Sequence, residues 1–246
     1  MLKNFFNELN KTVSKKAAAA KGASAKGASA KASSKKGSAK SSSSLNIALL
    51  IEKFDQIIPF GLKISSAKPI DSTGFSPEGA DYIVYREYCR DISKLMNGYV
   101  PFELIHGAFF TIPDLKKNTI ADALNRVATV KKINRFSEDE SEFSVPCFLI
   151  TDGADYPVLD VKNDIINYYI SKGVDSDSEF EIMMVHNQGI IIKDWHSGNR
   201  SYVGLETGED TLMWFYILIT EYLSIERDEE FDIRKYIRSE KVYNEF

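Results

Sequence analysis

The chain has 246 residues, 43% of them apolar and 12% aromatic, and a formal charge of −4 at pH 7. That figure joins a basic segment to an acidic body: residues 1–44 hold ten Lys and one Glu, a net +9, and the remainder carries −13. Two cysteines without Cys-x-x-Cys spacing, Cys89 and Cys147, exclude a disulfide framework and a zinc ribbon and read as buried structural thiols in a reducing compartment.

Residues 2–13 place Leu2, Phe5, Phe6, Leu9 and Val13 on one helical face. The unit (1–16) reads as a short amphipathic helix: a docking element for a protein partner, a membrane-surface anchor through Lys11, Lys15 and Lys16, or a frayed end. It lacks a signal-peptide core, because Phe5 and Phe6 run straight into Asn7 and Glu8. Residues 17–44 are only Ala, Ser, Lys and Gly, with Ala-Lys-Gly-Ala-Ser at 20–24 and again at 25–29. Without a large apolar side chain this linker cannot offset its ordering entropy and is expected to be disordered. Lys15, Lys16, Lys21, Lys26, Lys31, Lys35, Lys36 and Lys40 make it and its approach a polycation. Lysine neutralises phosphate without reading bases, so DNA or RNA contact here is expected to be non-specific and salt-sensitive. A solubilising linker is the other reading.

Folding is expected over 45–225, followed by a charged tail, 226–246, with a short helix at 233–237. Ile47, Leu50, Ile51, Phe54, Ile57 and Ile58 form a helical stripe ended by Pro59 and Gly61. Strands are predicted at 62–67 and 82–85, separated by a turn-rich stretch at 69–79. The segment 99–136 organises the body. Its apolar run from Phe102 to Ile112 reads as a buried strand, and Ile120, Leu124, Val127, Val130 and Ile133 mark the buried face of a helix over 118–134. A strand at 147–150, a helix at 162–171, a hairpin of 180–186 and 190–195 around Asn187-Gln188-Gly189, and an apolar helix at 210–223 follow. The apolar run Leu212–Ile219 is far short of the ~20 residues a membrane span needs, so a cytoplasmic protein is expected.

The order helix, strand, strand, strand, helix, strand is carried by specific residues. They are Glu52-Lys-Phe-Asp-Gln-Ile-Ile-Pro59, Ile70-Asp-Ser-Thr-Gly74 with Ser76-Pro77, Asp81-Tyr-Ile-Val-Tyr85, Val100-Pro-Phe-Glu103 and Ala128-Thr-Val-Lys-Lys-Ile133. A looser match, His186-Asn-Gln-Gly-Ile-Ile-Ile192, extends it. In this order they resemble a bacterial family of unknown function with a restriction-endonuclease-like core, that of the PD-(D/E)XK nuclease superfamily. The resemblance implies an α/β fold, an α-β-β-β-α-β core with C-terminal hairpin and helix additions. It also implies an Asp on the second strand and a Glu or Asp on the third holding Mg²⁺, with a Lys two residues later acting on the attacking water. Asp81 fits the first position. Counting from Glu103, the Glu falls on Phe110 and the Lys on Ile112, so the catalytic Glu and Lys are replaced.

The remnant carboxylates are Asp81, Glu103 and Glu52, with Asp81 and Glu103 the candidate metal ligands. Each has a plainer reading: a strand-entry carboxylate, a fold-stabilising acceptor and a solvated helix edge. His106 shares the face of Phe110 if no bulge intervenes. Pro157-Val-Leu-Asp160-Val-Lys162 copies the letters of the nuclease motif but opens a helix, with Asp160 as its N-cap. His186 and His196 lack a Cys or acidic partner at metal-ligand spacing, and Trp195 and Trp214 read as core or rim aromatics. The expectation is a non-catalytic module that binds nucleic acid or a partner without a cofactor. The alternatives are a Mg²⁺-dependent nuclease with rearranged carboxylates and an assembly protein tethered by its N-terminal helix.

Overall fold

The computed structural model describes residues 1–15, 44–71, 74–87, 91–133, 144–194, 201–223 and 244–245. In chain order its elements are α1 (Leu2–Val13), β1 (Ser14–Lys15), β2 (Ser44–Leu45), α2 (Ile47–Asp55), β3 (Leu62–Ser65), β4 (Lys68–Ile70), β5 (Tyr82–Arg86), α3 (Ile92–Leu95) and β6 (Tyr99–Pro101). Then come β7 (Ile105–Ile112), α4 (Lys117–Val130), β8 (Cys147–Thr151), α5 (Val158–Lys172), β9 (Ile182–Val185), β10 (Gly189–Lys193), β11 (Tyr202–Glu206), α6 (Thr211–Leu223) and β12 (Asn244–Glu245).

Alternation along the central strands decides the layering. Ile83, Tyr85, Ala108, Phe110, Ile112, Cys147 and Leu149 face one way and pack with Leu124 and Val127 of α4 and with Val161 and Ile165 of α5. Val84, Phe109, Phe148 and Ile150 face the other way, against α1, α2 and α6. A sheet apolar on both faces must be covered on both faces. The eight-stranded sheet runs β12-β11-β10-β9-β8-β7-β5-β3, parallel only across β7-β8 and β8-β9. This is a restriction-endonuclease-like α/β fold, with the helix, three strands, helix and strand of the expected core in place. Among the described residues no helix is long and apolar enough to cross a membrane.

Several boundaries differ from the sequence reading. The buried strand begins at Ile105, because Phe102–Leu104 close a 3-10 turn. The helix expected from 162 starts at Val158, with Pro157 as N-cap and Asp160 exposed in its first turn. A carboxylate there favours the positive end of the helix dipole, so the N-cap role given to Asp160 is corrected. The turn-rich stretch contains β4, which pairs in parallel with β6, and β11 extends the hairpin into a third strand. The proposed helix at 233–237, Trp195, His196 and Lys16 to Lys40 lie outside the described residues.

Most of the apolar face of α1 is taken up within the chain, with Phe5 left exposed. Phe6, Leu9 and Val13 are buried, and the Phe6 ring lies 5.1 Å from that of Tyr216 on α6. Lys3 pairs with buried Asp210 at 3.1 Å, and Asn10 Oδ1 lies 2.7 Å from Nε2 of buried His186. β1 and β2 pair antiparallel, so residues 15 and 44 leave and re-enter the body side by side. The Leu45 N–H donates to Asp152 at 2.5 Å.

Ionic groups also lie inside the α4 and α5 layer. Lys131 and Glu181, 1% and 3% exposed, pair at 2.6 Å, and Glu181 also accepts the Cys147 N–H at 2.5 Å. Burial pushes the Glu181 carboxyl up against the pull of Lys131, and it raises the Cys147 thiol to about 12. Such a thiol is inert, as the structural reading of Cys147 requires. Beside it Glu179 accepts from the Tyr202 hydroxyl at 2.9 Å, with Lys193 Nζ 3.8 Å away.

Candidate functional site

Asp81 stands at the entry of β5, where its N–H donates to the Phe109 carbonyl at 2.9 Å. That bond sets its side chain beside Thr111 on β7. Oδ2 accepts from the Thr111 N–H at 2.6 Å and from its hydroxyl at 2.9 Å. The remaining capacity of the carboxylate goes to Arg126 of α4, whose Nη1 lies 3.2 Å from each oxygen. Nη1 also donates to the Gly79 carbonyl at 3.0 Å, and Nη2 to the Thr111 carbonyl at 2.9 Å.

The helix delivers this guanidinium because its apolar residues Ala123, Leu124 and Val127 bury one side and leave Arg126 at the margin of that face. Gly79 permits the approach: its φ is +140°, and a Cβ there would stand 3.0 Å from the Arg126 Cβ. The guanidinium carbon lies 5.6 Å from the Phe110 ring centroid, a cation–π contact. Arg126 and Asp81 are 31% and 34% exposed, so the pair is open to solvent on one side. Phe110 and Ile112, the positions that the resemblance gives to a Glu and a Lys, are 0% and 2% exposed in the α4 layer.

The other remnant carboxylates do not join Asp81. Glu52 is exposed on α2, which covers the opposite face of the sheet, with Lys53 Nζ 3.9 Å from it. Glu103 is exposed in the 3-10 turn before β7. Tyr82 pairs with Phe109 and Tyr85 with Ile105, so Glu103 lies at the far end of the ladder, about 20 Å along the strand from Asp81. His106 is the extra residue of a bulge, because Val84 pairs with Gly107 and Tyr85 with Ile105. The bulge breaks the parity that would have set His106 with Phe110.

A hard divalent ion takes six or more oxygens. Among the described residues no three His, Cys, Asp or Glu side chains form a group that could hold one. The Asp81 carboxylate is engaged by Thr111 and by a cation the protein supplies itself. As arranged, the residues do not fit Mg²⁺. Arg126 and Thr111 escaped the sequence reading; the sequence shows an Arg at the edge of an apolar helical stripe, but nothing in it pairs that Arg with Asp81. His186 is held neutral by burial, which lowers its pKa, and Trp214 is half-buried on α6. An open recess of roughly 550 Å³ is lined by Ala154, Tyr156, Gln188, Glu206 and Thr207 among others, and none of its lining residues belongs to the Asp81 cluster.

No family model matches the sequence, and no curated protein matches it. The fold is similar to solved structures of NucC. The cAAA-bound form from P. aeruginosa ATCC27853 aligns with a TM-score of 0.63 at 14% identity, over 90% of this chain and 90% of that one. The apo form from E. coli MS115-1 aligns at 0.58 and 18% identity, over 78% and 88%. The cAAA-bound form from the same strain aligns at 0.56 and 17%, over 72% and 76%.

Proposed function

We propose that this chain is a nuclease-like domain without strand-cleaving chemistry that binds nucleic acid through its lysine-rich segment. One observation supports the non-catalytic part: the Asp81 carboxylate is engaged by Arg126 and Thr111 while Phe110 and Ile112 lie in the core. Neither Phe110 nor Ile112 carries a group that could orient a water or take its proton. Lys15 to Lys40 supply the binding part by releasing counterions from a phosphate backbone. Lys15 and Ser44, at the two ends of this segment, are paired.

Removing residues 1–44 would also remove α1 from the core, so the test keeps the full chain. Lys16, Lys21, Lys26, Lys31, Lys35, Lys36 and Lys40 are replaced by Ser and retention on duplex DNA is measured at low salt. Loss of at least about tenfold in affinity and a shallower salt dependence are expected; unchanged retention overturns the binding reading. Incubation of the parent with DNA and Mg²⁺ or Mn²⁺ should leave the strands intact. Scission that disappears in Asp81→Asn would instead establish the rearranged-carboxylate nuclease. Since two of the similar NucC structures are cAAA-bound forms, cAAA is the small ligand to titrate in parallel.

A further inference from the structure

The partners of Arg126 have a chemical character of their own. Four oxygens from three residues converge on one guanidinium: the Gly79 carbonyl, both oxygens of Asp81 and the Thr111 carbonyl, at 2.9 to 3.2 Å. They come from two separate segments, the turn entering β5 and the strand β7. Thr111 Oγ1 is anchored on the same carboxylate at 2.9 Å. An ordinary surface ion pair needs one carboxylate and no carbonyls. One carboxylate and two main-chain carbonyls, with three oxygens on Nη1 and the Thr111 carbonyl on Nη2, are the ligand types of a hard-cation site.

The geometry points to Arg126 as the resident cation of an oxygen-lined socket, which accepts a divalent cation only when the guanidinium is withdrawn. This rests on the reading that the site does not cut, and it adds the reason: the positive charge is covalent and cannot exchange. The guanidinium satisfies the Gly79 and Thr111 carbonyls and the carboxylate together, and its carbon lies 5.6 Å from the Phe110 ring centroid. A divalent ion competing for the socket in the parent would have to displace all these contacts at once. With Arg126 shortened, the same oxygens face a water-filled gap of net negative charge. Three or four waters would complete the shell of an ion there.

The experiment is a Mn²⁺ titration of the full chain, followed by the electron paramagnetic resonance of free Mn²⁺. The parent and Arg126→Lys, which retains the charge, should show no saturable site. Arg126→Ala and Arg126→Gln should each gain one, and Arg126→Ala combined with Asp81→Asn should lose it. Near saturation, Mn²⁺ should raise the melting temperature of Arg126→Ala by roughly 2–5 °C and leave the parent unmoved. If Arg126→Ala unfolds without metal, Mn²⁺ should restore its circular dichroism. The inference is overturned if neither neutral variant binds Mn²⁺, or if the parent binds it in an Asp81-dependent way. DNA scission by the parent would sink the non-catalytic reading. A neutral variant that stays metal-free beside an inactive parent sinks only the socket.

Discussion

Cutting the link between Asp81 and Arg126 is the most direct perturbation of the site, and the structure sets its size. Arg126 makes contacts at 3.2 Å to each carboxylate oxygen and donates to two carbonyls at 3.0 and 2.9 Å. Hydrogen bonds to charged groups contribute about 1.5–3 kcal/mol each when buried. Both side chains are about a third exposed, so solvent screening brings the coupling down to roughly 1–2 kcal/mol. Arg126→Ala also forfeits the cation–π contact with Phe110, about 0.5–1 kcal/mol, for a total loss of roughly 1.5–3 kcal/mol. Asp81→Asn keeps the shape of the side chain and removes only its charge. The assay is a double-mutant cycle of Asp81→Asn and Arg126→Gln by urea unfolding. High salt should leave most of the coupling, because screening acts mainly on exposed charges. A coupling below about 0.5 kcal/mol would refute the reasoning, since that is what an unconstrained surface pair yields.

Two further outcomes follow from buried groups. Burial lowers the His186 pKa below its ordinary 6.5, so the unfolded chain takes up a proton first as pH falls. The stability contributed by neutral His186 is therefore complete above the unfolded pKa. It declines from about pH 6.5 downward, by up to ~1.4 kcal/mol per pH unit until the depressed folded pKa is passed. His186→Gln should flatten that part of the profile in urea melts at successive pH values; an unchanged slope counts against it. Lys131→Met strands the Glu181 carboxylate at 3% exposure and should cost roughly 3–5 kcal/mol at neutral pH. Glu181→Gln keeps an oxygen for the Cys147 N–H but leaves the Lys131 ammonium, 1% exposed, without its counter-charge, so a similar loss is expected; a loss below about 1 kcal/mol would contradict this.

The core was readable because burial writes a period. Phe102 to Ile112 and the stripe Ile120, Leu124, Val127 and Val130 needed only the rule that apolar faces are covered, and the sheet and α4 appear where that rule sets them. What escaped lacks a period. β4 is three residues containing Pro69, which reads as a turn, and the 3-10 turn at Phe102–Leu104 is as apolar as the strand it precedes. The bulge at His106 is a one-residue slip in pairing that composition cannot encode. Within the site, Asp81 was identifiable from its place before a strand. Its partner was not, because Arg126 lies 45 residues away on a different element and only the fold brings the two together.

On the proposed non-catalytic reading, the apolar residues at 110 and 112 also reinforce one another. The resemblance gives these two positions to an acid and an amine facing solvent. Here both positions face α4, and their side chains are part of the layer that holds Ala123, Leu124 and Val127. Restoring Glu at 110 would bury a carboxylate where exposure is now 0%, a cost of several kcal/mol unless a cation came with it. The nearest available cation is Arg126, already committed to Asp81. A new Glu would therefore compete for the guanidinium rather than recruit an ion, and Lys at 112 would bring a second unpaired charge into the same layer. A Glu at 110 or a Lys at 112 introduced singly is therefore expected to destabilise the fold, which urea unfolding of each variant would measure.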